Sequence, residues 1–150
     1  MKINDWNIYF FILFQRLLDE LEKDVSFLKE NDPEGFRSHP KFKLLAGLFK
    51  CITEYVPANP NNPRFLLGNT LGTKYNNWRR VKELLPPRYR LFFQFRSDLR
   101  DIIFAWFNDE NTLRKEGSST DVYAVFRKML ENEIMPSDFS ALKKSSHVAP

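Results

Sequence analysis

Eight basic side chains fall between residues 74 and 100: Lys74, Arg79, Arg80, Lys82, Arg88, Arg90, Arg96 and Arg100. Only Glu83 and Asp98 oppose them, so this stretch carries a net +6 in a chain of 150 residues whose total is +4. A positive field confined to one stretch is the usual footprint of a phosphate-bearing partner. Arginine offers more than attraction. Its planar fork grips two phosphate oxygens and stays protonated, so it can stabilise charge that grows on a phosphoryl group during reaction. Charge alone leaves a second reading open, a basic face that merely keeps the surface solvated.

Other chemistry is sparse. His39 falls between two helical segments and His147 in the tail, and neither has companions. Glu116 is a candidate proton carrier if its loop folds back to the basic stretch. Glu83 is another, although period 2 points it away from Arg80. Asp109 and Glu110 are expected to brace their loop through Arg114. No carboxylate or histidine cluster has metal-ligand spacing, and no glycine-rich phosphate loop is present, so neither metal nor cofactor is expected. Cys51 is the single cysteine. It excludes an intrachain disulfide framework and suits a reducing cytoplasm. The apolar run over residues 8–14 is far short of the roughly 20 residues a membrane span requires. No basic leader or small-residue cleavage site frames it. It is expected to be the buried lead-in to a helix, with no membrane as partner.

Elements must hold the basic groups in place. Helical spacing of Phe14, Leu17, Leu18, Leu21, Val25 and Leu28 predicts a helix over residues 10–30. A second helix is predicted over 40–56, with Phe42, Leu45, Phe49, Ile52 and Val56 as its stripe and Cys51 as a small core residue. The two would form an N-terminal helical hairpin. A Pro- and Asn-rich connector follows, then strand-like material at 64–68. Short strands are expected over 78–84 and 88–96, and a fully covered strand over 101–107. By period 2, Trp78, Arg80 and Lys82 share one face of their strand, and Arg88 and Arg90 the solvent face of the next. Residues 108–119 read as a polar loop. A helix over 121–133 follows, capped by Ser119 or Thr120, and then a mobile tail over 143–150. The order predicts one α+β domain spanning 1–150. Helices would cover one face of a mostly antiparallel sheet of about four strands.

Two blocks carry a family resemblance. Trp78-Arg79-Arg80-Val81-Lys82, followed by Arg88-Tyr89-Arg90-Leu91-Phe92-Phe93, is similar to the W-x-R-V-K … R-Y-R-L-F-F block of YhaV-type toxins. Trp106-Phe107-Asn108-Asp109-Glu110-Asn111-Thr112-Leu113-Arg114 resembles their W-M-N-D-E-x-T-L-R segment, and the likeness continues through Asp121, Tyr123 and Phe126 to Leu130. The chain departs from the pattern at Glu116, a position often Tyr, and at Pro86-Pro87. The resemblance implies a RelE-like fold and a type II toxin–antitoxin toxin. Its activity would be metal-independent endoribonuclease cleavage that inhibits translation and growth. It implies RNA as substrate, with or without the ribosome. It also implies a cognate PrlF-type antitoxin with a swapped-hairpin DNA-binding domain, through which alone operator DNA would be reached. On that footing Arg80, Arg90 and Arg88, in that order, are the candidates for stabilising the reacting phosphate. Lys82, Arg114, Lys74 and Arg79 would hold the RNA backbone. A non-enzymatic binder of the same superfold, gyrase-inhibitor-like or an inactive toxin that keeps only antitoxin binding, remains the alternative.

Overall fold

The chain begins with a strand pair, not a helix. In the computed structural model, which describes residues 1–150, β1 (Lys2–Ile3) and β2 (Trp6–Phe11) pair antiparallel. Asn4 and Asp5 join them at φ 50 and 65°. This is a two-residue hairpin of the kind that asks for positive φ, which these two residue types tolerate. β2 then lies deep in the sheet, parallel to β5 (Asp101–Phe107) on one side and antiparallel to β6 (Ser146–Val148) on the other. Trp6, Ile8, Phe10 and Phe11 are all buried. The apolar run is therefore mostly strand. A strand covered on both faces loses its alternation and reads like a buried helix, which is why the helical reading started two residues early.

α1 (Ile12–Asn31) buries Phe14, Leu18, Leu21 and Val25. α2 (Pro40–Lys50) starts at His39, whose Nδ1 accepts the Lys41 N–H at 3.1 Å. It runs on through a π turn over Cys51–Tyr55 into α3 (Val56–Ala58). Its buried stripe is Leu44, Leu45, Leu48, Ile52 and Val56, and Phe49 stays exposed. Cys51 is fully buried, and burial pushes its thiol up to about 12, which makes it a packing residue.

The sheet has six strands in the order β1-β2-β5-β4-β3, with β6 beside β2. It exceeds the expected four because both chain ends contribute strands. β3 is only Arg79–Val81, and β4 is Leu91–Arg96. In place of a strand over 64–68 there is a 3-10 turn, Pro63–Phe65, followed by a single bridge from Leu66 to Arg79. The tail expected to be mobile carries secondary structure. α5 (Phe139–Lys144) and β6 lead to Ala149, whose carbonyl accepts from the Met1 ammonium at 2.6 Å. Lys143 pairs with the buried Asp101 at 2.6 Å.

Both sheet faces are covered. α1 packs Phe14 against Phe104 and Phe107. α4 (Val122–Glu131) packs Phe126 flat on Phe92 at 4.1 Å and on Trp106 at 5.6 Å. The register shift between Phe92 and Phe93 skips Ala105 on β5, so Phe104 and Phe107 can share the α1 side. The face expected to meet solvent is thus roofed by α4. Its N-cap is Asp121, whose carboxylate accepts the Tyr123 N–H, and neither Ser119 nor Thr120 takes that place. No helix is long and apolar enough to cross a membrane.

Candidate functional site

β3 places Arg80 opposite Phe92 of β4, on the side that α4 covers. Trp78, on the same side, anchors the strand by donating Nε1–H to Ser137 Oγ at 3.2 Å and by packing edge-on to Phe126. Arg90 lies just before β4 and two residues from Phe92, so it faces the same way. The first turn of α4 supplies Tyr123. Its hydroxyl oxygen accepts from Arg80 Nη1 at 2.9 Å and from Arg90 Nε at 3.0 Å. The guanidinium carbons of Arg80, Arg90 and Arg114 lie 5.6, 5.8 and 4.9 Å from the Tyr123 ring centroid.

Three cations around one phenol repel one another. Arg90 is 7% exposed and Arg80 is half-buried, which weakens solvent screening. Backbone carbonyls hold them there: Arg80 Nη1 also donates to Leu67 O at 3.2 Å, and Arg90 Nη1 to Tyr89 O at 2.9 Å. Arg80 Nε is buried without a partner, a condition that costs about 1–3 kcal/mol. Such a cluster is poor for stability and good for meeting an anion. The Tyr123 oxygen accepts twice, so the O–H of this buried side chain is its remaining hydrogen-bonding capacity.

Two clamps shape the surrounding loops. Asn108, 1% exposed, accepts the Arg90 N–H at 2.8 Å and donates to Arg88 O at 3.2 Å and Thr112 O at 2.8 Å. Asp121 accepts from Arg114 Nη1 at 3.0 Å, from the Lys115 N–H at 2.7 Å and from the Tyr123 N–H at 3.1 Å. Burial pushes the Asp121 carboxyl upward, but the Lys115 N–H and the Arg114 guanidinium outweigh it and hold the group below its ordinary range. Beside the cluster a polar groove of about 690 Å³ runs between the 69–70 turn, the 114–119 loop and α4.

The structure gathers Arg80, Arg90 and Arg114. Arg88 braces rather than faces the cluster: at φ 74° it donates Nε–H to Arg114 O at 3.0 Å. Glu116 does come back to the arginines, with Oε2 at 4.0 Å from Arg114 Nη2, although its side chain is 91% exposed. The rest disperse. Arg79 takes the other face of β3, over Phe95, where burial lowers its pKa. Lys74 lies over Tyr75, and Lys82 and Glu83 are exposed beyond β3. Arg96 pairs with Asp98, and Arg100 covers Trp6 at 4.0 Å, at the far end of β4. The +6 stretch is therefore not one basic face, because a six-residue strand separates its ends by roughly 20 Å. Asp109 caps its own turn through the Asn111 N–H and does not brace Arg114, which belongs to Asp121. No group of three or more His, Cys, Asp or Glu side chains is placed to hold a metal ion.

Tyr123, Asn108 and Asp121 are the residues that spacing missed. Strand periodicity cannot bring a helix residue onto a strand row. Their only signal was membership of the second sequence block.

The matching family model, over residues 8–147, describes a toxin with endonuclease activity, of a toxin-antitoxin system. The chain is 41% identical over 146 residues to the ribonuclease toxin YhaV of Escherichia coli K12, covering 97% of this chain and 94% of that one. Toxin YhaV of strain O157:H7 and of strain O6:H1 (CFT073) matches to the same extent. The chain belongs to the YhaV toxin family. No solved structure matches it.

Proposed function

We propose that this protein is the toxin of a type II toxin–antitoxin pair and an endoribonuclease that cuts RNA without a metal. Family membership supports toxin and endonuclease. The observation that carries the mechanism is the Tyr123 hydroxyl held between Arg80 and Arg90.

RNA brings its own nucleophile, the 2′-hydroxyl beside each phosphodiester. Its oxygen forms a bond to phosphorus while the bond to the 5′-oxygen breaks, leaving a 2′,3′-cyclic phosphate and a 5′-hydroxyl. Arg80 and Arg90 neutralise the charge that grows on the non-bridging oxygens, and Arg114, whose charge Asp121 already offsets in part, lies at the mouth. Tyr123 donates its proton to the departing 5′-oxygen. In this reading Glu116, on the rim beside Arg114, receives the 2′-proton, and Glu83, exposed beyond β3, takes no part. Arg88 acts by holding the Arg114 backbone, while Lys82 contacts phosphates further along. Lys74 and Arg79 have no part.

The same cluster invites an acidic partner. A PrlF-type antitoxin covering the Arg80–Arg90–Arg114 mouth would block RNA and carry the toxin to operator DNA. The RelE-like relationship belongs to this reading and rests on the sequence resemblance.

Expression of the chain should arrest growth, and its RNA fragments should begin with 5′-hydroxyl ends. Unimpeded growth with intact RNA would favour the non-enzymatic binder.

A further inference from the structure

The groove beside the arginines runs past Arg114 and Tyr123 to Asn69, Ser119 and Arg127, which phosphate stabilisation does not use. Its size, about 690 Å³, is in the range of sites that take a small ligand. It opens directly on the cluster, because Arg114 and Tyr123 belong to both. Arg80 also donates to Leu67 O, at the root of the turn that forms one wall. A phosphate at the arginines therefore leaves its neighbouring nucleoside at the groove's mouth.

The lining says which part of that nucleoside it suits. Of its charged residues, Arg114 and Arg127 balance Glu116 and Asp121. A trough with no net charge does not hold a second phosphate. It does offer donors and acceptors on opposite walls. Asn69 stands exposed on one wall, and Ser119 and Glu116 stand exposed on the other. Arg127 ties the first wall to α4 through Thr70 O at 2.9 Å, leaving most of its N–H groups free. The opposite wall turns at Gly117, with φ 83° and nothing within 4 Å of an added Cβ, so that side is open to a flat group. Polar side chains arranged in this way read the hydrogen-bonding edge of an unstacked base, as in sequence-specific recognition of single-stranded RNA.

We infer that this groove is a base-reading subsite. It would take the nucleobase next to the scissile phosphate of single-stranded RNA, with Asn69, Ser119 and Arg127 setting the preference. The inference rests on the endoribonuclease reading for its substrate, but not on cleavage for its test.

The experiment uses the intact protein and short fluorescent oligoribonucleotides. Each carries a 2′-O-methyl group at every position, so it cannot be cut, and each position is varied through the four bases. Binding is measured for wild type, Asn69→Ala and Ser119→Ala, with melting temperature as the control for folding. In parallel, cleavage ends are mapped on natural RNA. Wild type should prefer one base at a single position by about tenfold, the worth of one good pair of hydrogen bonds. The two variants should flatten that preference without changing the melting temperature. A wild type indifferent to base, or variants that keep the full preference, would overturn the subsite. Base-selective binding without any cleavage would leave the subsite standing and remove the enzymatic reading. Cleavage with its specificity intact in both variants would do the reverse.

Discussion

The Asn108 carboxamide fixes the backbone of Arg90: Oδ1 accepts the Arg90 N–H at 2.8 Å while Nδ2 reaches the carbonyls of Arg88 and Thr112. Arg88 needs that support, because an L-residue at φ 74° costs about 1–2 kcal/mol. Asn108→Asp keeps the acceptor but turns a carboxylate toward two carbonyl oxygens. Protonating that acid restores a donor. The ratio of variant to wild-type cleavage rate should therefore rise as pH falls from about 8 to about 5, because burial and the carbonyls raise such an acid's pKa. A flat ratio would show that the clamp matters only to folding.

Tyr123→Phe removes the hydroxyl and leaves the ring among its neighbours. A positioned proton donor is worth about 100-fold or more. The variant should lose that much in kcat with little change in KM, and should keep its fold. A rate within threefold of wild type, a margin of about 0.7 kcal/mol, would remove Tyr123 from the chemistry.

Arg80→Ala should abolish growth arrest at equal expression. Its hydrogen bonds to Leu67 and Tyr123 are lost, at about 1 kcal/mol each, but the orphaned Nε goes with them. Stability should therefore move little in a urea titration. Arg80→Lys should fail nearly as badly, since an ammonium cannot reproduce the planar fork. Normal arrest by either variant would refute the assignment.

The pattern of what the sequence revealed follows from periodicity. β5 was legible because seven consecutive buried residues, Asp101–Phe107, admit no other short element. Ile8, Phe10 and Phe11 are buried too, but this run continues without a break into α1, and its parallel partner lies more than 90 residues away. Ser146–Val148 has no apolar pattern and is a strand only because β2 offers an edge. At the site, Arg80 and Arg90 were correctly set in neighbouring rows. Arg79 and Arg96 were credited to the same field because charge along a chain ignores which face, or which end, of a strand a residue occupies. Tyr123 could not be placed without knowing where α4 docks.

Asp121 gives a pH test. Its folded-state pKa is depressed, so its contribution to stability is present above the ordinary value of 3.8 and is lost as pH falls through the lower folded value. Asp121→Asn should be less stable than wild type at neutral pH, and the gap in urea midpoint should narrow as pH falls below 3.8. A gap independent of pH would mean that the carboxylate's charge is not what holds Arg114 and the 114–115 loop.

The most direct measurement is to incubate the purified protein with RNA in excess EDTA and determine the chemistry of the new ends. If Arg80, Arg90 and Tyr123 act on the phosphate themselves, cleavage proceeds undiminished and leaves 2′,3′-cyclic phosphate or 3′-phosphate opposite 5′-hydroxyl ends, and Arg80→Ala gives none. Cleavage that EDTA abolishes and magnesium restores would contradict that mechanism, as would products bearing 5′-phosphate.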